Sequence, residues 1–143
     1  VVSSKAQDQL PAGIRKITLE EAFASSDVVS LHCPLTPDNR AFVNAALLAK
    51  SRPGLVLINT ARGGLIDDEA VAAALREGRL GCYACDVLSS EPPAPDHPLL
   101  HTPRTFVTPH IAWASRDART RIVDIMADNL RAFLSGTPIH TVS

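Results

Sequence analysis

An arginine, an aspartate, a glutamate and a histidine each come shortly after the end of a short apolar run in this chain. Arg62 precedes Gly63 and Gly64, Asp86 stands five residues before Glu91, and His110 directly follows Pro109. The planar guanidinium of Arg62 suits a carboxylate, because a two-pronged hydrogen bond fixes orientation as well as charge. The His110 imidazole can give or take a proton near neutral pH. A nearby carboxylate such as Glu91 favours the imidazolium and holds the ring in one tautomer. Together these groups can hold a 2-oxo acid and protonate its carbonyl as a hydride arrives. Singly, each has a plainer reading. Arg62 is compatible with a solvated or salt-bridged strand end, Asp86 with a turn cap, and His110 with a loop residue satisfied by backbone. Their joint placement after successive strands is what points to a site.

The elements that must carry these groups alternate between two periods. Residues 27–33, 54–60 and 82–87 are short, nearly continuous apolar runs, as expected of parallel strands buried on both faces. Residues 104–108 read as a shorter strand stopped by Pro109, residues 13–18 as another, and residues 1–4 as the tail of one more. Between them, Thr18-Leu-Glu-Glu21 is a capping box opening a helix through Ser25. Residues 44–50 form a second helix that stops near Pro53-Gly54. Residues 67–78 form a third, with acids in its first turn and Gly78 at its end. The longest runs over 114–134, with Ala118, Ile122, Ile125, Met126, Leu130, Phe133 and Leu134 recurring at intervals of three and four. Strands alternating with helices at this pitch predict an α/β fold with a doubly wound parallel sheet. In such sheets ligands bind beyond the carboxyl ends of the strands. One cleft is therefore the expected site.

Composition narrows the alternatives. A chain of 143 residues with 45% hydrophobic and 20% charged residues has the makeup of one globular domain. Its net charge of -1 gives no electrostatic footprint for nucleic acid or an anionic membrane. No apolar run reaches the roughly 18 residues of a membrane span, and residues 1–5 lack the basic start and apolar stretch of a signal peptide. Three cysteines are an odd count, which points away from a disulfide framework and towards a reducing cytoplasm. Cys82 and Cys85 have redox or zinc spacing, but they lie within one strand, face opposite sides and have no second pair. No metal site is expected. Ser89, Ser90 and Ser115 lack the glycine elbow of a serine nucleophile. His97, His101 and His140 sit in loop-like contexts and read as surface residues.

Four stretches carry a resemblance that covers the chain in order: Leu31-His-Cys-Pro-Leu-Thr36, Leu57-Ile-Asn-Thr-Ala-Arg-Gly-Gly-Leu-Ile-Asp67, Cys85-Asp-Val-Leu-Ser-Ser-Glu-Pro-Pro93 and Thr108-Pro-His-Ile-Ala-Trp-Ala114. They resemble the D-isomer-specific 2-hydroxyacid dehydrogenases, and residues 86–113 are most similar to the glycerate dehydrogenase (hydroxypyruvate reductase) branch. The resemblance implies hydride transfer between NAD or NADP and a small 2-oxo acid of the hydroxypyruvate or glyoxylate class. It implies Arg62 as the arginine that orients the substrate, His110 as the acid/base, and Glu91 as that histidine's carboxylate. It further implies cofactor contacts at Cys33 and Pro34 on the adenosine side, and at Thr60, Ala61 and Arg62 near the nicotinamide ribose. Asp86 would then meet the carboxamide, and the turn of His110, Ala112 and Trp113 would close over the ring.

The chain departs from the family pattern in two respects. It contains no first strand with a G-x-G-x-x-G turn to cradle a pyrophosphate. It is thus expected to be the C-terminal part of an NAD(P)-binding domain within a longer enzyme, with residues 114–143 returning towards a substrate domain. Such a piece is expected to be inactive alone. Second, Val2 is followed by Ser3, Ser4 and Lys5 rather than by an acid that would hold a ribose 2′-hydroxyl, which leaves NADP open beside NAD. The resemblance also implies a homodimer. The competing reading is a dinucleotide-binding regulatory or scaffold protein that keeps this fold without turnover.

Overall fold

The computed structural model describes residues 1–142, so Ser143, the end of the expected C-terminal tail, lies outside it. The chain divides into two compact units, Val1–Pro109 and a second beginning at His110.

The first unit is built on four strands: β1 (Val28–Leu31), β2 (Leu55–Asn59), β3 (Leu80–Cys85) and β4 (Thr105–Val107). All pair in parallel, in the order β1-β2-β3-β4. Helices α1 (Leu19–Ser25), α2 (Ala45–Ala49) and α3 (Asp68–Arg76) join or precede them. Each helix starts at a side-chain cap, and such a cap contributes about 1 kcal/mol. Thr18 and Glu21 form the reciprocal box, with Glu21 N donating to Thr18 Oγ1 over 3.1 Å and Thr18 N to Glu21 Oε2 over 2.9 Å. Asn44 accepts from Leu47 N, and Asp67 from Ala70 N. Gly78, at φ +76°, ends α3 in a left-handed turn that a side chain would disfavour.

Register decides which face is core. Val29, Leu57 and Tyr83 stand side by side across the sheet, as do Leu31, Asn59, Cys85 and Val107. Leu57, Tyr83 and Asn59 on this face are fully buried, together with Leu55 and Leu80 at the start of their strands and Val71, Leu75 and Leu99 from the elements packed above. The other face differs from the expectation of burial on both sides. Val28 is 54% and Phe106 66% exposed, because α1, α2 and α3 contact one another in succession and no helix of this unit covers their side.

Two expected strands do not form. Val1 N donates to Arg15 O and Ile17 N donates to Val1 O, so residues 1–4 and 13–18 exchange only these bonds, too few for a ladder. In the second unit, α4 (Arg116–Leu134) follows a cap at Ser115, whose hydroxyl accepts from Ala118 N. The three-and-four pattern of α4 is borne out as a helix. Its large apolar residues nevertheless remain exposed, with no buried position along it.

The loops that leave β2 and β3 touch through backbone at Gly63. A Cβ placed there would lie 2.0 Å from the Leu88 carbonyl and 2.4 Å from Ser89 N, well inside contact distance. Gly63→Ala is therefore expected to destabilise the protein by about 1–3 kcal/mol, as overpacking does. Denaturant unfolding checks this, and an unchanged midpoint would contradict the contact. The cysteines give a second expectation. Burial pushes the Cys85 thiol up to about 11, and Cys82 and Cys85 take register positions opposite Val56 and Asn59, on opposite faces. A thiol reagent near neutral pH should modify exposed Cys33 first and Cys85 only on unfolding. A Cys82–Cys85 disulfide in the native protein, detected by mass spectrometry, would contradict this reading.

Candidate active site

Because Leu31, Asn59, Cys85 and Val107 are in register, the segments that follow them leave the sheet along one edge. Those segments hold Cys33 and Pro34, then Thr60 to Gly64, then Asp86 to Glu91, then Thr108. The first unit therefore brings Cys33, Pro34, Thr60, Ala61, Arg62, Asp86 and Glu91 to the carboxyl edge, where ligands of open α/β sheets bind.

The Arg62 loop is held from beneath. Asn59 is fully buried, and its side chain spans the turn above it. Its Oδ1 accepts from Ala61 N at 3.1 Å, and its Nδ2 donates to Arg62 O at 3.0 Å and to the Tyr83 hydroxyl at 3.4 Å. Burial drives the Tyr83 phenol far above its ordinary range, so it stays neutral beneath the turn. Farther along, Ala41 N donates to Gly64 O, Val43 N to Leu65 O and Asp67 N to Val43 O, which anchors the loop against a second segment. Arg62 itself is exposed, with Nη1 donating to Ala61 O at 2.7 Å. Among the described residues it has no acidic partner. The salt-bridged reading of this residue is thus set aside.

The next loop is equally constrained. Asp86 is 4% exposed, its backbone N donates to Asn59 O at 3.0 Å, and the Thr108 hydroxyl donates to its Oδ1. Glu91 is an exposed loop residue whose Oε1 accepts from Leu88 N at 2.9 Å. Cys33 and Pro34 are exposed, and Asn39 braces their turn by donating to Pro34 O and accepting from Thr36 N. Thr60 is exposed and Ala61 half-buried. In the second unit, His110 adopts a left-handed backbone at φ +54°. Its carbonyl accepts from the Trp113 indole N–H at 2.8 Å, and Ala114 N donates to Ile111 O, so His110, Ala112 and Trp113 share one tight turn.

Chemically, the first unit offers a guanidinium without an acidic partner, a buried carboxylate and exposed turn backbone along one edge. That set fits a ligand bearing hydroxyl and amide groups together with a small carboxylate. No group of three or more His, Cys, Asp or Glu side chains that could hold a metal occurs among the described residues. Asn59 had no expected role, although an asparagine at a strand end ahead of a turn is a known signal. His97 departs from the expected surface position. That side chain is buried, 7% exposed, and meets Asp68 and Ser89, which it can do only because distant segments pack over it.

Comparison with known proteins agrees with this geometry. Residues 1–112 match the family described as D-isomer specific 2-hydroxyacid dehydrogenase, NAD binding domain. The chain is 40% identical over 129 residues to a hydroxypyruvate reductase of Blautia hydrogenotrophica, covering 90% of this chain and 40% of that protein. It is 42% identical over 128 residues to a glycerate dehydrogenase of Methylorubrum extorquens, covering 88% and 41% respectively. Among solved structures, a glyoxylate reductase from Paecilomyes thermophila superposes with a TM-score of 0.82 at 33% identity, covering 95% of this chain and 42% of that one. The chain thus spans about two fifths of the length of the curated relatives it matches. With a parallel α/β sheet, an arginine turn and a buried aspartate at its carboxyl edge, this chain belongs to the D-isomer-specific 2-hydroxyacid dehydrogenase family and matches its NAD-binding domain.

Proposed function

We propose that the protein carrying this chain is an NAD(P)-dependent oxidoreductase that interconverts a small 2-oxo acid and its D-2-hydroxy acid, of the hydroxypyruvate or glyoxylate class. The observation that carries the reading is Arg62, an exposed guanidinium without an acidic partner, on a turn pinned by buried Asn59 beside buried Asp86. The names of the relatives support the substrate class.

In this reading Arg62 grips the substrate carboxylate and fixes the carbonyl in a reactive pose. His110 delivers a proton to the carbonyl oxygen, and Glu91 holds the imidazolium ready for that step. When bound, the nicotinamide supplies the hydride that the carbonyl carbon accepts. Asp86 would hold the carboxamide, the exposed backbone of Thr60, Ala61 and Arg62 the neighbouring ribose, and Cys33 and Pro34 the adenosine side. His110, Ala112 and Trp113 would contribute from their shared turn. Ser3, Ser4 and Lys5 favour neither NAD nor NADP by charge exclusion.

The same proposal makes this chain the C-terminal part of the NAD(P)-binding domain, with residues 114–143 returning towards a substrate domain. The exposed apolar residues of α4 support that assignment. Action as a cytoplasmic homodimer completes the proposal. The three free cysteines support the cytoplasm, and no described helix is long and apolar enough to cross a membrane. No observation favours the non-catalytic alternative.

Two variants of the full-length protein test the roles. Arg62→Lys replaces a fork by a point charge and should lower turnover about a hundredfold, the cost of roughly 1 Å of misplacement. Cofactor affinity, read by titration, should survive; unchanged kcat/KM would remove Arg62 from the site. Glu91→Gln removes the carboxylate assigned to the catalytic histidine and should lower kcat for reduction about a hundredfold with cofactor affinity unchanged. An unchanged kcat would leave Glu91 without a part in proton transfer.

A further inference from the structure

Asp68, Ser89 and His97 come from three segments: the first turn of α3, the loop after β3, and the cap of the 3-10 turn Pro98–Leu100. His97 Nε2 lies 3.2 Å from Asp68 Oδ2 and 3.4 Å from Ser89 Oγ, and the Ser89 hydroxyl donates to Asp68 Oδ2. The His97 side chain is 6% exposed and that of Asp68 16%. The other ring nitrogen, Nδ1, accepts from Leu99 N at 3.3 Å. With that lone pair engaged, the hydrogen-bond network assigns the ring proton to Nε2, which donates to Asp68.

This arrangement excludes a serine nucleophile. A catalytic triad divides the two ring nitrogens between hydroxyl and carboxylate. Here both partners share Nε2, and a backbone N–H occupies Nδ1. The cluster has a different consequence. Ser89 and His97 are the two ends of a loop excursion that contains Glu91, and Asp68 joins both ends to α3. Buried Leu88 and Leu99 flank the junction, and Leu88 N is the donor to Glu91 Oε1. Asp68 Oδ1 is buried without a partner among the described residues, so the pairing of that carboxylate rests on His97 and Ser89 through its other oxygen. A buried carboxylate stripped of its donors is costly, which gives the junction its hold.

We infer that Asp68, Ser89 and His97 form a clamp that positions Glu91 for proton transfer, acting through the loop rather than on substrate. The inference rests on the dehydrogenase reading above. Gly63 extends its reach, since the same Leu88–Ser89 backbone abuts the Arg62 turn.

The test uses the full-length protein with two variants. His97→Ala removes the clamp, and His97→Gln keeps an amide N–H near the position of Nε2. In His97→Ala, amide hydrogen exchange at Leu88 should quicken by about tenfold or more as the loop opens locally. The kcat for 2-oxo acid reduction should fall about tenfold to a hundredfold, with the cofactor KM unchanged. His97→Gln should restore both exchange and kcat. If His97→Ala does not fold, Ser89→Ala removes one link with little change in volume, and the same readouts should move in the same direction. Wild-type exchange at Leu88 in His97→Ala would overturn the clamp. So would a loss of kcat that His97→Gln does not repair, or one matched by an equal rise in cofactor KM. A wild-type protein that reduces no 2-oxo acid, while its variants still show the exchange difference, would overturn the dehydrogenase reading and leave the clamp on the Glu91 loop standing.

Discussion

The backbone contact at Gly63 is the constraint on which the site depends. The turns after β2 and β3 approach so closely that no Cβ fits between them, and this brings the Arg62 turn and the start of the Glu91 loop into one rigid edge. Parallel register makes the approach possible, because Asn59 and Cys85 end their strands side by side. A glycine at this position serves close packing rather than an unusual backbone angle.

Beneath that edge lies a layer of buried polar groups, each with a defined task. Asn59 spends its amide on the turn above it, and the neutral Tyr83 hydroxyl sits under Asn59. Asp86 is buried with the Thr108 hydroxyl as donor. Buried polar groups of this kind stabilise only when satisfied, and satisfied ones specify a single geometry. The result is a surface on which an exposed guanidinium is presented by a turn that cannot drift. Such a turn sets orientation and charge together for any anion that meets it.

Much of this was legible in the sequence wherever the signal is local. The Thr18–Glu21 box, the Asp67 cap and the Gly78 stop all appear where their side-chain chemistry places them. The four apolar runs became four parallel strands, and the chemistry-bearing residues of the first unit follow their ends. What could not be read depends on partners distant along the chain. His97 resembles a loop histidine until α3 and the Ser89 loop close over it. Residues 13–18 have strand composition but share with residues 1–4 only the two backbone bonds to Val1. The apolar content of β1 suggested two covered faces, yet burial is a property of the neighbours, and Val28 lacks them in its unit.

We propose that the Arg62 turn, set against the loop after β3, receives a 2-oxo acid carboxylate. A crystal structure of the full-length protein with reduced cofactor and an unreactive 2-oxo acid analogue tests it most directly. The expected result is a two-pronged hydrogen bond from the Arg62 guanidinium to the analogue's carboxylate, with the Asn59–Arg62 turn unmoved. A carboxylate held by other residues, with Arg62 turned to solvent, would contradict it.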